Sequence, residues 1–148
     1  FESERLVTIQ TGAGASDKVV AASTWCRVAE ALLAEGWMVA AIGGPGDPRV
    51  PHPAVVDWVG QLDLRQAMSV VAHSRLHLAG DTGTGHIAAA YGVPVISIFG
   101  PTPVDRYRPW GGTATVLTHG RSTDSVGVEE IVDAARNILS VSRASCGS

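Results

Sequence analysis

The sequence predicts an α/β domain, a Rossmann-like parallel sheet of about six strands flanked by helices on both faces. Three observations predict it. Short β-branched runs alternate with amphipathic stretches along all 148 residues. The runs are apolar at consecutive positions, as strands covered on both faces are. Most of them end in Gly, Asp or Thr, residues suited to tight strand-to-helix turns.

Leu6-Val7-Thr8-Ile9 is the first strand. Trp25, Val28, Ala29, Leu32 and Leu33 then fall at i, i+3, i+4, i+7 and i+8. That is one face of a helix, with Ser23 as its N-cap and Gly36 as its stop. Met38–Ile42 and Val55–Val59 follow as the second and third strands. Asp63 with Gln66 makes a capping box, opening a helix that turns Leu64, Ala67, Met68 and Val71 inward. Leu76–Ala79, Val93–Phe99 and Ala114–Leu117 complete the strands. A last helix from Val128 to Leu139 buries Val128, Ile131, Val132, Ala135, Ile138 and Leu139. Residues 1–139 therefore form one domain, and the small polar segment 140–148 reads as a disordered tail.

Composition narrows the function. At 45% hydrophobic and 17% charged residues the chain can bury a core. Its length supplies one domain, so chemistry that needs a cleft between domains must take the second wall from elsewhere. A net charge of −3 gives no reason to expect a nucleic-acid partner. No window is long and apolar enough for a membrane span, which still leaves room for peripheral membrane contact. Cys26 and Cys146 make neither a disulfide nor a zinc framework, and a reducing cytoplasm is the simplest setting. The chain opens at Phe1 without a signal-like segment or initiator Met, and reads as part of a longer gene product. Ten of the eleven basic residues are Arg, leaving Lys18 as the single lysine.

In sheets of this kind ligands lie outside the carboxyl ends of the strands, where helix N-termini present bare amides. The loop after the first strand, Thr11-Gly12-Ala13-Gly14-Ala15-Ser16-Asp17-Lys18, combines small residues, hydroxyls and one cation, a set suited to a diphosphate. An ordinary turn with a solvated lysine is the competing reading. After the fourth strand comes Gly80-Asp81-Thr82-Gly83-Thr84-Gly85-His86. There the amides of Thr82, Gly83 and Thr84 would meet an anion, Asp81 would accept sugar hydroxyls and His86 would donate to phosphate. A helix cap for Asp81 and a satisfied half-buried ring for His86 are the structural alternatives.

Three rival sites lack support. Gly83-Thr84-Gly85-His86-Ile87-Ala88 matches a dinucleotide fingerprint, but the next strand closes in Phe99-Gly100-Pro101-Thr102-Pro103, with no acid or Arg to read a ribose. His73 and His77 are four apart, yet the helix between them gives way to a strand and no third zinc ligand is at hand. No Ser or Cys has an arranged base.

Several motifs together carry a resemblance. They are Gln10-Thr11-Gly12-Ala13-Gly14 followed by Lys18, Ile42-Gly43-Gly44-Pro45-Gly46-Asp47, Val59-Gly60-Gln61-Leu62-Asp63-Leu64, and Asp81-Thr82-Gly83-x-x-His86-Ile87-Ala88-Ala89-Ala90-x-Gly92-x-Pro94 running into Phe99-Gly100-Pro101-Thr102. Nearly the whole chain resembles the C-terminal domain of the heptosyltransferases of glycosyltransferase family 9. The resemblance implies a GT-B architecture, in which two Rossmann-like domains face each other across a cleft. The C-terminal domain holds a nucleotide-diphosphate sugar, and the N-terminal domain holds the acceptor and the catalytic base.

By position, it implies that Thr11, Gly12 and Lys18 contact the diphosphate. Asp81, Thr82, Gly83 and His86 would hold the phosphates and the transferred sugar. Asp47 would sit near the ribose, and Gln61 would line the base pocket. Lys18 would stabilise the leaving group, with no metal. ADP-heptose as donor, a lipopolysaccharide-type or other glycan acceptor and a cytoplasmic location, at the inner face of the membrane, follow from the same resemblance. Two departures stand out: Val19-Val20-Ala21 follows the lysine where the family has Trp-Pro, and position 84 is Thr where Pro or Leu is more typical. A non-catalytic nucleotide-binding or interaction domain of the same fold is the alternative function.

Overall fold

The structure, a computed structural model, describes residues 5–12, 20–80, 88, 90–98, 114–117 and 126–147. Six strands form one sheet: β1 (Leu6–Gln10), β2 (Met38–Ile42), β3 (Val56–Asp57), β4 (Leu76–Gly80), β5 (Val95–Ile98) and β6 (Ala114–Leu117). Among the described residues they are accompanied by the helices α1 (Ala22–Ala34), α2 (Leu64–Ala72) and α3 (Val128–Gly147). The strand order is β3-β2-β1-β4-β5-β6 and every pairing is parallel. The α/β expectation holds. The winding reverses between β1 and β4, where Gln10 lies opposite Ala79, and a reversal of this kind opens a crevice at the carboxyl ends.

The two faces of the sheet are unequal. Val7 and Ile9, Val39 and Ala41, Leu76 and Leu78, and Ile96 and Ile98 form an apolar face packed with Trp25, Val28, Ala29 and Leu32 of α1 and Ile131, Val132, Ala135 and Leu139 of α3. The other face gathers Ile42, Val71, Ala88, Val93 and Val95 into a smaller cluster. The alternate positions of the strands bring Thr8, His77 and Ser97 there as fully buried polar side chains.

Local sequence accounts for most boundaries. α1 closes in a Schellman arrangement: Trp37 N–H donates to Leu32 O and Gly36 N–H to Leu33 O, with Gly36 at φ +89°. Arg5 then takes the Gly36 carbonyl from Nε and Nη2, at 2.9 and 2.6 Å, while its guanidinium lies over the Trp37 ring. At the start of α2 the capping box forms, with Gln66 N–H donating to Asp63 Oδ1 at 2.7 Å and Asp63 N–H to Gln66 Oε1 at 2.9 Å.

Four expectations change. The N-cap of α1 is Ala21, whose carbonyl receives the Thr24 and Trp25 amides, and Ser23 is an exposed residue inside the helix. Leu64 is 70% exposed, because the capping box places it at the first helical position, beyond the part of α2 that reaches the sheet at Val71. β3 shrinks to two residues, because Val59 and Gly60 already belong to a turn. α3 continues past Leu139 to Gly147. Ser140 to Cys146 contain neither Pro nor Gly, so the first residue that favours a stop is Gly147 itself.

His77 Nδ1 lies 2.7 Å from Thr8 Oγ1, Thr8 Oγ1 donates to Ser74 Oγ at 3.2 Å, and Ser74 Oγ donates to the Val71 carbonyl at 2.7 Å. An Nδ1–H donor on His77 lets each proton in this chain serve one bond. Burial lowers the His77 pKa to about 3. Below the ordinary value of 6.5 the unfolded chain takes up a proton that the folded chain refuses, so this contribution is complete above that pH and is lost as pH falls toward 3. Unfolding by denaturant at pH 7 and pH 5 is expected to show a drop of about 2 kcal/mol from this group. His77→Asn, compared with the parent at both pH values, should remove that difference; an unchanged pH slope refutes the assignment.

Candidate functional site

The carboxyl ends of the first four strands form one edge, and their loops determine what can be held there. β1 runs out into Thr11 and Gly12, β2 into the segment from Gly43 to Asp47, β3 into a turn from Trp58 to Gln61, and β4 ends at Gly80. Parallel pairing persists beyond the strand ends. Thr11 N–H donates to Ile42 O at 3.1 Å, Trp58 N–H to Ala41 O at 2.9 Å and Gly60 N–H to Gly43 O at 2.8 Å. Three loops are thereby fixed side by side.

Asp47 is the centre of this edge. Its Oδ2 accepts the Gly44 amide at 2.7 Å, and its own N–H returns to Gly44 O at 3.1 Å. The carboxylate rests on Gly12: a Cβ there would stand 2.2 Å from Oδ2 and 2.4 Å from Cγ. At Gly43 a Cβ would meet both Asp47 Oδ2 and Thr11 Oγ1 at 3.0 Å. Two glycines from two loops thus clear the seat of one carboxylate, and the chemical need is for close approach.

Thr11, Gly12 and Asp47, taken from separate stretches of sequence, come into one contact. Thr11 and Gly12 are both buried. The Thr11 hydroxyl turns into the seam between β1 and β2, 3.4 Å from Ile42 O. Half-buried Asp47 is the polar side chain that these two support. Gln61 is exposed on the neighbouring turn, its N–H donating to Trp58 O at 3.0 Å, and Gly60 packs over Pro45. Lys18, Asp81, Thr82, Gly83 and His86 lie outside the described residues.

The histidine pair of the rejected zinc reading does not converge. His73 caps α2, with Nδ1 2.7 Å from Ser69 O, while His77 is buried within β4. Among the described residues no three His, Cys, Asp or Glu side chains are grouped to hold a metal.

Sequence reasoning named Asp47 but missed its dependence on Gly12 and Gly43. The signal available was a Gly-Gly pair directly after β2 and a Gly two residues after β1; their mutual contact needs the strand register. Gly12→Ala is expected to push the carboxylate aside and cost about 1–2 kcal/mol in denaturant unfolding. In an Asp47→Ala background the same change should cost much less. Equal losses in both backgrounds contradict the shared seat.

The sequence model of glycosyltransferase family 9 (heptosyltransferase) matches residues 1–132. Lipooligosaccharide heptosyltransferase 2 of Haemophilus influenzae is 28% identical over 104 residues, covering 63% of this chain and 30% of the relative. The structure of Escherichia coli ADP-heptose lps heptosyltransferase II superposes with a TM-score of 0.85 at 21% identity, over 96% of this chain and 49% of that one. E. coli heptosyltransferase WaaC with ADP gives 0.81 at 19% identity, over 90% and 44%. The chain thus spans about half of these solved structures and under a third of the curated relative. The structural likeness shows the shared fold, and the family match over most of the sequence shows that the chain belongs to glycosyltransferase family 9, the heptosyltransferase family.

Proposed function

We propose that this chain is the donor-binding half of a glycosyltransferase that moves a sugar from a nucleotide-diphosphate sugar, ADP-heptose, to a lipopolysaccharide-type or other glycan acceptor. The observation that supports the reading most is the gathering of the Thr11-Gly12 turn, Asp47 and the Gly60-Gln61 turn at one sheet edge, beside the β1/β4 reversal. The names of the similar structures, one carrying ADP and one an ADP-heptose enzyme, favour an adenine nucleotide and heptose.

The chemistry divides by charge. A carboxylate accepts hydroxyl hydrogens, so Asp47 suits the ribose, with Gln61 toward the base. Its negative charge on Gly12 disfavours a phosphate in the same place, which supports a diphosphate lying toward Lys18 and the segment after β4 and departs from the expectation that Thr11 and Gly12 contact it. As the glycosidic bond breaks, the departing diphosphate gains negative charge. The Lys18 ammonium and the amides of Thr82 and Gly83, with His86 as a further donor, would meet that charge without a metal. Asp81 would hold the transferred sugar.

The acceptor site and the base that deprotonates the acceptor belong, in this reading, to a partner domain of the same enzyme. No described helix is long and apolar enough to cross a membrane. We place the enzyme in the cytoplasm, meeting its glycolipid acceptor at the inner membrane face.

Titration of ADP into this chain should show weak saturable binding, with Kd on the order of 0.1–1 mM, because in this reading these residues supply one wall of the cleft. No sugar transfer is expected; transfer by this chain alone overturns the division of labour. In the full-length gene product, Lys18→Ala should lower kcat by about 100-fold or more while the melting temperature stays within about 2 °C. An unchanged kcat would remove Lys18 from the reaction.

A further inference from the structure

The loop that carries Asp47 and the turn that carries Gln61 are joined by an ion pair. Arg49, two residues past Asp47, donates from Nη1 to Asp57 Oδ2. The other oxygen of the same carboxylate, Oδ1, accepts the Val59 amide at 3.1 Å. Asp57 is the last residue of β3, so one side chain at a strand end holds the Asp47 loop through Arg49 and shapes the Gln61 turn through Val59. Val59 is buried, and Gly60 at φ +74° sends its amide to Gly43 O, which fixes the turn against the end of β2. Those backbone bonds stop at Gly43. The Arg49–Asp57 pair reaches beyond it, to the far side of Asp47.

As a contribution to global stability the pair is minor. Its side chains are 61% and 34% exposed, and exposed ion pairs are screened by water and salt. Geometry gives it another role, because the Asp47 carboxylate and the Gln61 turn are groups on two separate loops whose separation decides whether both meet one ligand. A sub-ångström change in the spacing of two groups that hold a nucleoside, away from the bond that breaks, falls first on binding.

We infer that Arg49 and Asp57 are a positioning pair that sets the spacing between the Asp47 loop and the Gly60-Gln61 turn, and through it the affinity for the nucleoside of the donor. The inference rests on the reading that these two loops hold the nucleoside. Neither Arg49 nor Asp57 needs to touch the donor.

The test uses the full-length gene product with ADP-heptose as donor, comparing Arg49→Met, Arg49→Lys, Asp57→Ala, Asp57→Asn and the Arg49→Met/Asp57→Ala double variant. Arg49→Met and Asp57→Ala should each raise the donor KM about three- to tenfold, with kcat within about twofold. Arg49→Lys should restore most of the affinity. Asp57→Asn keeps an acceptor for the Val59 amide and so guards against a folding loss; it should still raise KM through the lost charge. The double variant should be no worse than the worse single one.

Unchanged KM in Arg49→Met and Asp57→Asn overturns the inference, as do effects that multiply in the double variant or a loss confined to kcat. Titration of ADP into the parent separates this failure from failure of the broader reading. A parent that binds ADP while its variants bind equally well removes only the positioning pair. A parent that does not bind ADP removes the nucleoside site itself.

Discussion

Thr11, Gly12 and Asp47 come together through the register of β1, which pairs with β2 on one side and β4 on the other. Gln10 sits level with Ile42 and with Ala79, so the carboxyl ends of three strands lie at nearly the same height. A slip of one residue would also exchange the faces of β1 and bring Thr8 into the all-apolar layer. The buried link from His77 through Thr8 to Ser74 opposes such a slip, because a misplaced Thr8 would leave polar groups without partners. Register and polar satisfaction reinforce each other three residues below the site.

The sheet was legible in the sequence because its signals are local. β-branched runs, a capping box at Asp63 and a glycine at position 36 each act within a few residues. Errors arose where a local signal competed with a tertiary one. Ser23 is a better capping residue than Ala21, yet the chain enters α1 with the Ala21 carbonyl already accepting. Leu64 fits the apolar stripe of α2 by periodicity, but the helix meets the sheet only near Val71. The segment after Leu139 looked polar enough to fray, although it contains no residue that forbids a helix before Gly147.

The contacts at the candidate site were less legible than the sheet. Small residues after strand ends singled out this edge as a candidate, and Asp47 was named from its motif. That Gly12 forms the floor beneath Asp47 could not be read, since the two are brought together only by pairing of β1 with β2. The same holds for Arg49 and Asp57, whose charges are unremarkable until two loops are known to run side by side. Membership in glycosyltransferase family 9 is the ground for the chemistry proposed for these contacts.

The unequal layers of the sheet bear on how the molecule comes apart. One face is sealed by α1 and α3 over a broad apolar cluster, whereas α2 contributes a single fully buried side chain, Val71. Among the described helices α2 is the one secured by least apolar burial, and its amides should exchange with solvent before those of β1, β2 and α1. α2 follows directly from the turn that holds Gln61, so the least buried of the described helices adjoins the proposed nucleoside pocket. A bound nucleotide would then tighten a part of the protein that its apolar core leaves loosely secured.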